Sequence, residues 1–157
     1  HLAVSVQLVD PAGRWLLQRR AESKALFPGL WANSCCSHPL PGEPPLYAVL
    51  PRTADELGLH LSELTPAGSF HYRARDKESG LVEDEHDHVF VGVVDTGAVE
   101  PDPTETVEVL RVPFDRVTAL LGSPAGAPWR ARRVATLNRR HFSVVRPAHC
   151  DGFEIVP

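Results

Sequence analysis

A thiol and an imidazole stand two residues apart at Cys36 and His38, and two carboxylates stand two apart at Glu83 and Glu85. In extended backbone, residues i and i+2 point to one face, so each pair presents its groups together. A thiol, an imidazole and two carboxylates are the ingredients of a metal site with a neighbouring acid or base. The plainer reading makes Cys36 a core thiol and the glutamates one face of a solvated strand. A rival set shares the acidic segment, because Asp84, His86 and His88 fall on its other face. A His-x-His pair can bind zinc or another borderline metal, or it can line an exposed polar edge.

Two further groupings carry charge. Asp55 and Glu56 crowd the end of a helical stretch just before Gly58. Negative charge there opposes the helix dipole. Carboxylates placed against local physics point to a divalent cation bound through oxygen, or else to an ordinary solvated helix end. Arg19, Arg20 and Lys24 flank the loop before Trp31, and Arg52 shares the helix of Glu56. With a formal net charge of −4, the chain suits a phosphorylated small molecule better than a polynucleotide, and no nucleic-acid partner is expected. Arg130, Arg132, Arg133, Arg139 and Arg140 read as the solvated face of a late helix.

These groups need elements to position them. Leu2, Val4, Val6 and Leu8 alternate with smaller or polar residues, which predicts a strand. Asp10-Pro-Ala-Gly13 has turn chemistry, and residues 15–20 return as a hairpin partner. Residues 39–45 are rich in proline and glycine and must be irregular. Residues 45–57 read as a helix capped by Gly58, with Pro51 expected to kink it or shift its start. Residues 69–75, 81–94 and 106–112 read as strands, with a turn at 78–80, and residues 114–121 and 127–142 read as helices. The order argues for one mixed α/β (α+β) domain over 1–157, a mixed sheet sandwiched between helices.

Composition fits that architecture: 157 residues at 43% hydrophobic content can build one core. No membrane span and no signal peptide are expected. The three cysteines include the adjacent pair Cys35 and Cys36, and vicinal disulfides are strained, so a reducing, cytoplasmic setting is expected. The chain has no methionine and begins at His1 inside a strand pattern, so a missing N-terminal segment is expected. Nothing in the pattern sets an oligomeric state.

Together these pieces resemble a known family. The segment Ser37-x5-Glu43-x7-Pro51-Arg52-x3-Glu56-x-Gly58-Leu59 is similar to a degenerate Nudix box, G-x5-E-x7-R-E-U-x-E-E-x-G-U with U aliphatic. Trp31-Ala-Asn-Ser-Cys-Cys-Ser-His-Pro39 resembles the W-x-N-[ST]-x-C-x-H-P signature of type I isopentenyl-diphosphate isomerases. Phe70-His-Tyr-Arg-Ala74, Val82-Glu-Asp-Glu85 and Pro128-Trp129 follow in that family's order. The departures are Ser37 for glycine, Pro51 for arginine, one residue inserted between Tyr72 and Glu83, and His86 and His88 where apolar or small residues are expected.

The resemblance implies a Nudix-like fold that interconverts isopentenyl and dimethylallyl diphosphate by metal-assisted protonation and deprotonation. An unactivated alkene is a very weak base, so the acid must be well aimed and the tertiary cation stabilised. By the resemblance, Cys36 works on one face of the substrate and Tyr72 and Glu85 on the other, while the indole of Trp129 holds the cation. It implies a divalent ion (Mg2+, Mn2+ or Zn2+) on His1, His38, Glu83 and Glu85, and a diphosphate-bound Mg2+ on Glu56. Arg20, Lys24 and Arg52 would bind the diphosphate; cations beside the Cys36 thiol can lower its pKa, and the sequence leaves its resting protonation state open. The alternatives are a Nudix hydrolase of nucleoside or prenyl diphosphates, an isomerase-like enzyme that cyclises a larger isoprenoid, and a binding module that keeps only the fold. Arg52 stands at the box's first paired glutamate, which thins the cluster a hydrolase needs.

Overall fold

One strand organises the sheet. In β1 (Leu2–Val9), Val4, Val6 and Leu8 are fully buried in the main apolar cluster, and Ala3 and Ser5 alternate with them toward the opposite face. The computed structural model describes residues 1–77, 79–95, 97–113 and 116–117. The helix expected at 127–142, most of that expected at 114–121, Trp129, the late arginines and Cys150 lie outside these residues.

The other strands are β2 (Arg14–Arg20), β3 (Trp31–Ala32), β4 (Cys35–Ser37), β5 (Thr65–Arg75), β6 (Val82–Val93) and β7 (Thr106–Pro113). They form one mixed sheet in the order β3-β2-β1-β6-β5, with β7 on β2 and β4 on β1. β6 runs parallel to β1 along its whole length, from Leu2↔His86 to Val9↔Val93. The other edge of β1 is divided: Leu8 and Val9 pair with β2, whereas Val4, Ser5 and Val6 pair with β4. The sheet therefore forks at β1. β5 pairs antiparallel with β6 and sets Tyr72 opposite Glu85.

The helix α1 (Pro45–Leu57) starts where expected, with proline in its first turn, where the missing N–H costs nothing. Pro51 lies inside it on the exposed side and does not shift its start. Ala48, Val49 and Leu57 pack on Val4, Val6, Leu8, Cys35 and Phe90. The helix ends at Gly58 with φ 66, whose N–H bonds Ala54 O; a Cβ there would also press on Glu100 at 3.0 Å. The strand expected at 69–75 extends back to Thr65, and short β3 and β4 were not anticipated as strands. No helix among the described residues is long and apolar enough to cross a membrane.

The β1–β2 turn is held by one side chain. Asp10 Oδ1 accepts from the N–H of Ala12 (3.0 Å) and of Arg14 (2.9 Å), and Oδ2 accepts from Arg14 Nε at 2.7 Å. Burial alone would raise the Asp10 carboxyl, but these bonds to Arg14 and Ala12 hold it below its ordinary value. A carboxylate depressed in the folded state stabilises above its unfolded pKa, near ~3.9, and loses that contribution as pH falls through the folded value. Asp10→Asn is expected to lower the urea midpoint at neutral pH, with the gap to wild type closing as acid protonates Asp10. A gap that stays constant in acid would remove the carboxylate from this role.

Candidate active site

A cavity of about 640 Å³ lies where the sheet forks. Arg20, Lys24, Cys36, His38, Arg52, Glu56, Tyr72, Glu83 and Glu85 all line it, with Ser5, Gln18, Asp87 and Glu105. Of the residues that the family resemblance assigns to the site, His1 lies outside this lining and Trp129 outside the described residues.

Alternation on β6 builds one wall. Glu83, Glu85 and Asp87 face the cavity, while Asp84, His86 and His88 fall on the other side. The Tyr72 hydroxyl lies 2.6 Å from Glu85 Oε2 and 3.0 Å from Glu83 Oε2. His38 Nε2 meets Glu85 Oε1 at 2.6 Å, so both oxygens of Glu85 are engaged. Burial pushes Glu85 up, but the bonds from His38 and Tyr72 outweigh it and keep this carboxyl below its usual range. Glu83 lacks that compensation: burial, with the charge of Glu85, pushes it up to about 7. The hydrogen bond to Glu85 raises His38, and burial with the two glutamates raises Tyr72 so that it stays a phenol.

The cysteine wall comes from β4. Residues 35–37 pair with β1, which buries Cys35 completely and turns Cys36 to the cavity opposite Ser5 in the register. The Cys36 thiol donates to Asn33 Oδ1 at 2.7 Å and lies 3.7 Å from Ser5 Oγ. The nearby cations do not set the state of this thiol. Burial, then the charge of Asp87, pushes Cys36 well above its ordinary value, and the pull of Arg20 is the smaller effect.

Cations gather toward β2 and α1. Arg20 donates through Nε and Nη2 to Leu26 O, at 3.2 and 2.9 Å. Arg52 Nη2 lies 2.7 Å from Glu56 Oε1, an i,i+4 pair, and 3.5 Å from Glu105 Oε1. Glu56 Oε2 accepts from Gln18 Nε2 at 3.3 Å, and Thr106 in turn donates to Gln18. Lys24 is paired with Glu105. Asp55 is exposed while Glu56 is buried, so the two carboxylates of the helix end part company and only Glu56 faces the cavity.

The rival set does not converge. His71 Nε2 holds Asp84 Oδ1 at 2.6 Å, and the rings of His86 and His88 stand edge-on to each other at 5.1 Å. Among the described residues, no three His, Cys, Asp or Glu side chains, in this set or in the cavity, surround a common point as ligands of an ion would. In the cavity the donor types nonetheless fit a borderline divalent cation: two carboxylates share Tyr72, one of them holds His38, and the ring of His1 packs edge-on to His38 at 6.2 Å. Sequence reading missed Ser5, Gln18, Asn33, Asp87 and Glu105. Asp87 was legible, since it continues the i, i+2 series of Glu83 and Glu85.

The fold and the site define a Nudix protein, and the NUDIX domain family matches residues 1–136. Solved structures agree on the fold: a MutT protein from Methanosarcina mazei superposes with a TM-score of 0.66 at 20% identity, over 80% of this chain and 83% of that one. DR0079 from Deinococcus radiodurans gives 0.66 at 19% identity, over 80% and 75%. Within that superfamily the chain belongs to the isopentenyl-diphosphate Delta-isomerases. It is 48% identical to the isopentenyl-diphosphate Delta-isomerase of Nocardia farcinica over 133 residues, covering 83% of this chain and 75% of the relative. It is also 48% identical to that of Streptomyces griseus over 131 residues, covering 83% and 64%, so it spans about two thirds to three quarters of these relatives' length.

The pairing of Arg52 with Glu56 makes a stability prediction. Glu56 is 4% exposed, and removing its cation leaves a buried carboxylate without a counter-charge. Because Arg52 is partly solvated, Arg52→Ala is expected to cost about 2 kcal/mol in chemical denaturation, less than for a fully buried pair. Adding Glu56→Gln should recover most of that loss; equal losses with and without Glu56 would show that the pair is not what stabilises this end of the helix.

Proposed function

We propose that this chain interconverts isopentenyl and dimethylallyl diphosphate, moving a carbon–carbon double bond by one protonation and one deprotonation. The observation that carries the proposal is the juxtaposition, around one cavity, of the Cys36 thiol and the Glu85–Tyr72 pair, with Arg20, Lys24 and Arg52 grouped beside them. The reaction needs one proton between its two proton-transfer groups. A thiol at Cys36 and a carboxylate at Glu85 supply one, and the two exchange roles when the reaction reverses. Tyr72 and His38 hold Glu85 in place, which favours a reactive orientation over a mobile one. The guanidinium and ammonium groups suit a diphosphate, and Arg20, anchored on Leu26 O, is pre-aimed.

His38, Glu83 and Glu85, with His1 packed edge-on to His38, would hold a divalent ion such as Mg2+, Mn2+ or Zn2+, and Glu56 would hold Mg2+ on the diphosphate. Such ions would neutralise the carboxylate wall and the diphosphate charge. The free thiols of Cys35 and Cys36 favour a reducing compartment, the cytoplasm. Hydrolysis is the second reading. It needs a carboxylate-rich helix to activate water, and of the α1 carboxylates only Glu56 reaches the cavity, already shared by Arg52 and Gln18.

Incubation with isopentenyl diphosphate and Mg2+ or Mn2+, following allylic product and free phosphate together, tests the reading. Allylic diphosphate without phosphate release is expected; phosphate without double-bond migration would overturn it. Cys36→Ala and Glu85→Gln should each lower turnover by at least about 10³-fold with the fold unchanged. Near-normal turnover in either would unseat the assigned pair. Chelation should abolish activity, and divalent metal should restore it and raise the melting temperature.

A further inference from the structure

Neither the proton transfers nor the diphosphate cations account for Asp87. It lines the cavity, is 4% exposed, and has one oxygen, Oδ1, with no hydrogen-bond partner among the described residues. Burying a carboxylate with so little compensation is costly, and a group kept there against that cost calls for a reason. Its other oxygen, Oδ2, accepts from Ser5 Oγ at 2.5 Å. Ser5 is itself 5% exposed and stands opposite Cys36 in the β1–β4 register, its Oγ 3.7 Å from the sulfur.

The proton count gives this row a direction. Ser5 has a single hydroxyl proton, and with Asp87 ionised that proton goes to Oδ2, so the side of Ser5 turned to Cys36 is then a lone pair. The thiol likewise has one proton and two acceptors within reach, Asn33 Oδ1 at 2.7 Å and Ser5 Oγ. A serine without Asp87 would rotate freely among its staggered positions. We propose that Ser5 and Asp87 are positioning residues for Cys36: Asp87 locks the hydroxyl of Ser5, and Ser5 together with Asn33 fixes the direction in which the sulfur meets the substrate. The inference rests on the isomerase reading and deepens it by adding a second row of residues behind the thiol. Register supports it from the backbone upward, since Ser5↔Cys36 and Ala3↔Asp87 are set by strand pairing rather than by flexible loops.

The test uses the steady-state kinetics of the whole chain with isopentenyl diphosphate. Misplacing a reacting atom by an ångström costs up to about 10²-fold in rate, so Ser5→Ala and Asp87→Ala should each lower kcat roughly 10- to 100-fold while KM stays within about twofold. Ser5→Thr keeps the hydroxyl and should retain most of the turnover. Because Asp87 acts through Ser5, Asp87→Ala should add nothing in a Ser5→Ala background. Additive losses, a loss carried by KM, a Ser5→Thr variant as poor as Ser5→Ala, or a Ser5→Ala variant with wild-type kcat would each overturn the positioning role. Ser5→Ala alone carries the test if Asp87→Ala does not fold. A wild-type chain without turnover overturns the functional reading and this inference with it, whereas wild-type turnover with an indifferent Ser5→Ala overturns the inference only.

Discussion

The divided edge of β1 is the constraint on which the rest of the site depends. Val4, Val6 and Leu8 are driven to one face because only that face meets α1 and the apolar side of β6. A strand has a period of two, so burying them fixes the direction of Ala3 and Ser5 as well. A one-residue slip would drop Ser5 into the core and lift valines into the cavity. β2 and β4 then share one edge of β1, and the space between them becomes the cavity. Parallel pairing to β6 carries the same phase across the sheet and stations Glu83, Glu85 and Asp87 on the side of Ser5.

That phasing has an electrostatic consequence. Three carboxylates on alternate positions of one strand repel one another, and burial weakens the screening that water would give. The protein answers unevenly. Glu85 receives His38 and Tyr72 and remains ionised; Glu83 receives only a share of the Tyr72 proton, and its carboxyl is pushed up to about 7. The separation gives neighbouring carboxylates different protonation tendencies without any difference in residue type, and their surroundings alone account for it.

Much of this was legible in the sequence because strand periodicity is a short-range property. The i, i+2 spacing of Cys36 with His38 and of Glu83 with Glu85 already required each pair to share a face, and the alternating valines already required β1. What escaped was set by long-range packing. The state of the Cys36 thiol depends on its burial and on Asp87, fifty-one positions along the chain by the numbering, and no local pattern announces that neighbour. Glu105 sits at the entry to β7, where a turn at residues 102–105 brings it to Lys24 and Arg52; a lone glutamate after prolines gives no hint of two cationic partners. The two-residue β3 and three-residue β4 are too short to show a period at all.

The cationic side follows a different logic from the carboxylate side. Lys24 and Arg52 are each matched to a carboxylate, Glu105 and Glu56, while Arg20 is matched to a backbone carbonyl. Paired cations lose less on leaving water than bare ones, so the fold can gather three of them at one cavity without the repulsion that would otherwise open it. A carboxylate bound to a guanidinium also occupies the geometry that a phosphate oxygen would take, since both accept from the same planar fork. Under the proposed function, the resting pairs would stand in for the charges that a diphosphate with its cation brings. On that same proposal, Glu56 would pass from arginine to a divalent ion as the diphosphate takes its place on Arg52. Exchange of partners, rather than creation of new charge contacts, is what this arrangement makes inexpensive.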